Sequence, residues 1–310
     1  MTTILPADAP GIARAAHLLR DGGLVALPTE TVYGLAARAD SEEAVAAIYR
    51  AKGRPDFNPL IVHVTGADMA RRLAVFDDRA EQLAAWFWPG PLSLVLPLRA
   101  EAGIAPAVTA GLPTIALRMP AHPVARAVLD ALDVPLAAPS ANRSMQVSPT
   151  TAAHVAASLH AGVATILDGG ACEQGLESTI VALRDNGGWS LLRQGPVTVG
   201  QIAEVLGSAP VEAGKGIEAP GQLVRHYSPG KPLRLQAAEA GEDEYHIGFG
   251  DVAGHATLSA SGDLAQAAAR LYACLHEAAA AGQPRIAVAP IPHHGIGAAI
   301  NDRLQRAAAV

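Results

Sequence analysis

Between residues 24 and 167 the chain alternates short, mostly apolar runs with longer stretches whose apolar residues recur every three or four positions. A short apolar run bounded by Gly, Pro or polar residues is the pattern of a buried strand. A 3.6-residue recurrence is the pattern of a helix laid on it. The strand-like runs fall at 24–27, 60–64, 92–98, 114–118, 136–138 and 164–167. Helical patterns occupy 11–21, ended by Gly22 and Gly23, and 42–51, with Ser41 as N-cap. Another helix opens at Pro149 and Thr150 and runs to about 160, with Ser148 placed to cap it. This alternation predicts an α/β fold: a twisted open sheet with helices packed on it.

Aromatic residues make up only 4% of the chain and apolar residues 50%, so the core must be built from Ala, Val, Leu and Ile. At 310 residues there is room for one large domain and one small one. Residues 207–232 are dense in Gly and Pro and lack apolar periodicity, which marks a linker. The expected organisation is a first domain over 1–206, a linker over 207–232, and a small Rossmann-like α/β domain over 233–310. In the last, strands are expected at 233–235, 245–249 and 286–289, and helices at 264–280 and 297–308.

The formal net charge of −6 argues against a protein that coats nucleic acid through bulk charge, while leaving room for a local basic pocket. Two distant cysteines, Cys172 and Cys274, exclude a disulfide framework and a cysteine zinc site. No basic segment followed by an apolar run opens the chain, and no run approaches the ~18 residues of a membrane span. A cytoplasmic location is expected.

Polar residues of the first domain gather where apolar runs end. Thr29, Glu30 and Thr31 follow the run 24–27. They suit a ligand-facing loop, or a Thr-rich turn with Glu30 starting a helix. Lys52 and Arg54 flank Gly53 in a loop stiffened by Pro55 and Pro59, with Asn58 between and His63 close behind. Arg supplies a planar fork and Lys a point charge, a combination suited to phosphate or carboxylate. Arg118 closes the run that Thr114 opens, and an arginine there needs an anionic partner from protein or ligand. Ser140, Asn142 and Ser148 follow the run 136–138; Ser178 and Arg193 flank the last apolar segments of the domain. Three arginines and a lysine at strand ends of an acidic chain favour a focused anion pocket. The Ser, Thr and Asn around them suit a nucleotide and a small polar substrate.

No G-x-x-x-x-G-K-[ST] loop, G-x-G-x-x-G, G-x-S-x-G or H-E-x-x-H occurs. The pair His293 and His294 lacks a third ligand and is expected at the surface, and Cys172 is expected to be structural. No metal site is expected.

The ordered segments LPTETVYGL, KGRP, NPLIVHV, FWPGPLSLVL, TIALRMPAHP, APSANRS, SPT, DGG, ESTIV and LLRQGP resemble the YrdC-like family of threonylcarbamoyl-adenylate synthases. APGQLVRHYSPGKP and GIGAAINDRLQRAA resemble the linker and the end of the second domain of its longer members. The resemblance implies synthesis of L-threonylcarbamoyl-adenylate from L-threonine, bicarbonate and ATP, with release of pyrophosphate. The product then serves threonylcarbamoyladenosine formation next to the tRNA anticodon, through separate transferase proteins. By motif, Lys52 and Arg54 take the catalytic positions. Thr31, His63, Arg118, Ser140 and Ser178 fall at the threonine site. Arg54, Asn58, Thr114, Asn142, Ser148 and Arg193 fall at the ATP site. Magnesium is expected on the ATP phosphates, without a protein cage. The linker stretch Val224 to Tyr227 is expected to supply a lid, although Val224 stands where the family has an aromatic residue. The alternatives are an RNA-binding or ribosome-associated module using the same pocket, and a carbamoyl transferase lacking its usual partner modules. Membrane attachment and stable nucleic-acid binding are not expected.

Overall fold

The computed structural model describes residues 2–214, 216–222 and 226–309. In chain order the first elements are β1 (Thr3–Pro6), α1 (Ala9–Arg20), β2 (Val25–Leu27), β3 (Gly34–Arg38), α2 (Glu42–Lys52), β4 (Ile61–His63), α3 (Ala67–Leu73), α4 (Asp78–Phe87) and β5 (Leu92–Pro97). Then come α5 (Pro106–Thr109), β6 (Thr114–Arg118), α6 (Pro123–Leu132), β7 (Leu136–Ala137), α7 (Ala152–Leu159), β8 (Thr165–Asp168), β9 (Thr179–Leu183), β10 (Trp189–Arg193) and α8 (Val199–Leu206). After residue 232 follow β11 (Leu233–Arg234), β12 (Glu244–Gly248), β13 (Ala256–Thr257), α9 (Leu264–Ala280), β14 (Arg285–Val288) and α10 (Gly297–Ala308).

Two sheets result. The ten-stranded sheet has the order β1-β8-β2-β3-β7-β4-β6-β5-β9-β10, and the second has β11-β14-β12-β13, all parallel. Strand β3, not evident in the sequence pattern, runs antiparallel to both β2 and β7 and brings Gly34 opposite Ser140.

Alternate residues of a strand face opposite sides of a sheet, and here the two sides are covered differently. Ala26, Leu35, Val62, Leu94, Leu117 and Val181 point to one side, where α2, α3, α4, α5, α7 and α8 pack on them. On the other side α1 and α6 cover Val25, Leu27, Ala36 and Leu136. Farther along that side, Ile61, Val95, Ala116, Ile180 and Leu192 are covered by Ala213 and Ala219, from chain with neither helix nor strand. Between those two patches the sheet face is open.

The second sheet and its helices α9 and α10 bury a core that also takes in Val32, Val147 and Leu176 of the first domain. No described helix is long and apolar enough to cross a membrane. The helix after residue 149 is shorter than its sequence signals suggest. Its N-cap is Thr151, whose side chain accepts from the backbone of His154, so Ser148 is not a cap.

Candidate active site

The open part of the sheet face is a cavity of about 540 Å³ including its mouth. Its floor is Ile61 and His63 of β4 and Arg118 of β6. The register Ile61↔Ala116 and His63↔Arg118 sets these side chains next to one another. The strand-end crevice suggested by the sequence is therefore a concave sheet face, walled by the loops at 29–34, 138–140 and 177–178. The segment 220–227 contributes Pro220, Gly221, His226 and Tyr227. Val224 and Arg225, named as part of a lid, lie outside the described residues.

At one end Arg118 is fully engaged. Its Nη2 donates to Glu30 Oε1 at 2.5 Å, its Nη1 to Thr31 Oγ1 at 2.9 Å and its Nε to the Gly90 carbonyl. Glu30 also accepts from the Ala121 backbone, so it starts no helix and is the anionic partner that Arg118 requires. Burial pushes the Glu30 carboxyl up, and the charge and hydrogen bond of Arg118 outweigh it, leaving it below the ordinary value. Burial, reinforced by Arg118, lowers the His63 pKa to about 3, so the ring is neutral.

Helix α2 ends at Gly53, which takes a left-handed φ of 59°, and this turn sets Lys52 and Arg54 on different tasks. Lys52 Nζ donates to the main-chain carbonyls of Ser140 and Asn142, each at 2.5 Å, and so holds the 140–142 turn. Burial, then Arg54, holds its pKa well below the ordinary value. Arg54 does line the cavity, braced by the carbonyls of Asn58 and Pro59. Burial lowers its pKa to about 10, which leaves it cationic at neutral pH. Asn58 Oδ1 and Asn142 Oδ1 are buried acceptors without a partner among the described residues. Such an atom costs about 1–3 kcal/mol if it stays unsatisfied.

At the other end Arg193 donates from Nε to the Ser178 carbonyl and from Nη2 to Ser178 Oγ. Ser178 Oγ also meets Ser93 Oγ at 2.8 Å. Gly221, with φ of 89°, lies on this arginine: a Cβ there would stand 2.7 Å from Arg193 Cδ. Glu177 accepts from Ser148 Oγ, from the Tyr272 hydroxyl and from Arg303 Nε. Burial raises its carboxyl, but Arg303, Arg193 and Ser148 together bring it down to about 2. Tyr227 packs here with φ of 64°, a left-handed conformation that a bulky residue adopts only when its surroundings fix it.

The structure thus brings Thr31, Arg54, His63, Arg118, Ser140, Ser178 and Arg193 to one cavity. Lys52, Asn58, Asn142 and Ser148 are buried but do not line it; Lys52 and Ser148 spend their polar atoms on Ser140, Asn142 and Glu177. Thr114 shares the face of Ala116 and Arg118, but four residues from Arg118, roughly 13 Å along the strand. Sequence reasoning missed Glu177, Tyr272 and Arg303; the ESTIV segment contains Glu177, but nothing local signals partners 95 and 126 residues away. His293 and His294 are exposed, and Cys172 is buried with its thiol pushed up to about 12 by burial.

A family model described as "Telomere recombination", covering the Sua5, YciO and YrdC proteins, matches residues 17–195. A second, described as "Threonylcarbamoyl-AMP synthase, C-terminal domain", matches 197–309. The chain is 37% identical to the threonylcarbamoyl-AMP synthase of Pyrococcus abyssi over 320 residues, covering 94% of this chain and 92% of that one. With the Bacillus subtilis enzyme of the same name it shares 45% identity over 243 residues, 76% of this chain and 69% of that one. The crystal structure of P. abyssi Sua5 complexed with L-threonine superposes with a TM-score of 0.90 at 34% identity, covering 99% of this chain and 98% of the other. Sequence, fold and domain pairing agree, and the chain belongs to the two-domain YrdC-like family of threonylcarbamoyl-AMP synthases.

Proposed function

We propose that the cavity takes L-threonine at its Glu30–Arg118 end and ATP at its Arg54–Arg193 end, and that the chain synthesises L-threonylcarbamoyl-adenylate. One observation carries this division. Arg54 and Arg193 face the cavity with no carboxylate within ion-pair distance among the described residues, whereas Glu30 and Glu177 each already have an arginine. Two buried, uncompensated guanidiniums need an anion, and a triphosphate supplies it. The other end offers the Arg118 guanidinium to the amino-acid carboxylate, with Thr31, His63, Ser140 and the Arg193-held Ser178 as hydrogen-bonding groups.

The amine of threonine forms a C–N bond with the carbon of bicarbonate, with loss of water, to give a carbamate. A carbamate oxygen then attacks the α-phosphorus of ATP, and the bond to the bridging oxygen of pyrophosphate breaks. This in-line displacement needs positioning and charge stabilisation more than a general base. Arg54 and Arg193 hold the phosphates. Asn58 and Asn142 act from behind the cavity wall through their main-chain carbonyls, Asn58 by bracing Arg54 and Asn142 by receiving Lys52, and Thr114 lies farther along β6. Lys52 and Ser148 act through the walls they hold, the 140–142 turn and Glu177. The donor set does not fit a dedicated magnesium site, since Glu177, the carboxylate that lines the cavity, is paired with Arg303, and Glu30 behind the wall is paired with Arg118; magnesium enters on the ATP phosphates as part of the substrate. We set the boundary of the first domain at 206; the packing of α8 on α4, with Ile202 in the first core, supports that reading. The product is passed in the cytoplasm to separate proteins that modify tRNA beside the anticodon.

Pyrophosphate release tests the reaction: it should require threonine, bicarbonate and ATP together. Equal release with threonine left out would overturn the proposal.

A further inference from the structure

Glu177 poses an electrostatic problem that the first domain does not solve by itself. Glu177 lines the cavity next to Ser178, whose carbonyl and hydroxyl bind Arg193. A buried carboxylate without a cation draws the nearest one to it, and within the first domain that cation is Arg193, which helps hold Glu177 ionised. Two side chains of the second domain intervene. Arg303 of α10, fully buried, donates from Nε to Glu177 Oε2 at 2.9 Å. The Tyr272 hydroxyl of α9 lies 2.8 and 3.0 Å from the two carboxylate oxygens. Arg303 is itself fixed by the Gln194 carbonyl, by Asp302 and by the Tyr227 ring, whose centroid is 5.2 Å from its guanidinium carbon.

We propose that Arg303 is a positioning residue for the reaction: with Tyr272 it occupies Glu177 and so keeps Arg193 unpaired and turned to the anionic substrate. The second domain then supplies the charge balance of the ATP end, besides any covering role of the linker. This rests on ATP being that substrate.

The test is equilibrium binding of a non-hydrolysable ATP analogue and, separately, of L-threonine to the full chain. In Arg303→Met the analogue should bind about tenfold to a hundredfold more weakly, with threonine affinity changed less than about threefold. Adding Glu177→Gln to Arg303→Met removes the anion that captures Arg193, and should restore analogue affinity to within about threefold of wild type. A residue that merely holds the fold would weaken both ligands together, so the threonine measurement separates positioning from a general loss of structure. Should Arg303→Met fail to fold, Tyr272→Phe keeps the ring and should still weaken the analogue about threefold to tenfold, leaving threonine unchanged. The proposal is overturned if the double variant binds the analogue as weakly as Arg303→Met, if both ligands weaken alike, or if Tyr272→Phe binds the analogue as wild type does. A wild-type chain that binds no ATP analogue would overturn the functional proposal itself, a result these variant comparisons keep separate.

Discussion

Two buried glutamate–arginine pairs border the cavity, one giving it Arg118 and the other Glu177, and they are closed in different ways. Glu30 meets Arg118 across 88 residues, both from loops and strands of the ten-stranded sheet. Glu177 meets Arg303 across 126 residues, and its partner arrives on the last helix of the second domain. The first pair forms whenever the sheet forms. The second exists only when the domains are docked through the shared core of Val32, Val147, Leu176 and the α9–α10 face. One end of the cavity is therefore complete in itself, and the other is conditional on a tertiary contact.

The largest expected effect comes from breaking the self-contained end. Arg118→Ala leaves the Glu30 carboxylate buried with the Ala121 amide as its remaining partner. It should cost about 3–5 kcal/mol of stability, read by urea denaturation. A loss below about 1 kcal/mol would mean that Glu30 draws its stability from elsewhere. The next effect falls on the ATP end. Arg54→Ala should lower kcat/KM for ATP by about 10²–10³-fold, in the range for removing one preorganised charge stabiliser, with threonine binding retained. A fall of less than threefold would take Arg54 out of the ATP end.

Acidification gives the smallest effect and also sharpens the contrast. The folded pKa of His63, about 3, lies below its ordinary 6.5, so the unfolded chain takes up the proton first. Its contribution to stability is complete above pH 6.5 and is lost as pH falls from 6.5 toward 3. The slope is up to about 1.4 kcal/mol per pH unit. Glu177, with a folded pKa of about 2 against 4.5, begins to lose its contribution only below pH 4.5. Stability measured between pH 7 and pH 5 should thus fall while Glu177 stays intact. His63 shares this window with His154 and His226, lowered to about 4 and about 3, so His63→Gln should reduce the slope by up to about 1.4 kcal/mol per pH unit without abolishing it. An unchanged slope in this variant would remove His63 as a contributor.

Where the signal is local, the sequence was sufficient. Helices α9 and α10 begin and end where apolar recurrence and flanking residues place them. Ser41 caps α2 as its type and spacing imply. The gathering of Thr31, Arg54, His63, Arg118, Ser140, Ser178 and Arg193 was legible because each is a polar residue against an apolar run in a chain with few charges. Three features were not. Strand β3 is short and follows a polar turn, so only its pairing with β2 and β7 reveals it. Ser148 looks like a cap before a proline, yet Thr151 is the better-placed oxygen and Ser148 turns to Glu177. The Glu177 cluster joins four segments, those of Ser148, Glu177, Tyr272 and Arg303, and no period or motif links residues so far apart.

On β4 and β6 the binding side chains and the core side chains are interleaved: Ile61, His63, Ala116 and Arg118 face the cavity side, Val62 and Leu117 the helices. The two strands thus carry two messages in alternate letters of one text. Substitution can edit either message alone. Insertion or deletion of a single residue exchanges them, driving Arg118 into the apolar layer and Leu117 into the cavity. Within this molecule the strands beneath the cavity should accept many changes of letter and almost none of length, while insertions collect in the linker and the exposed turns.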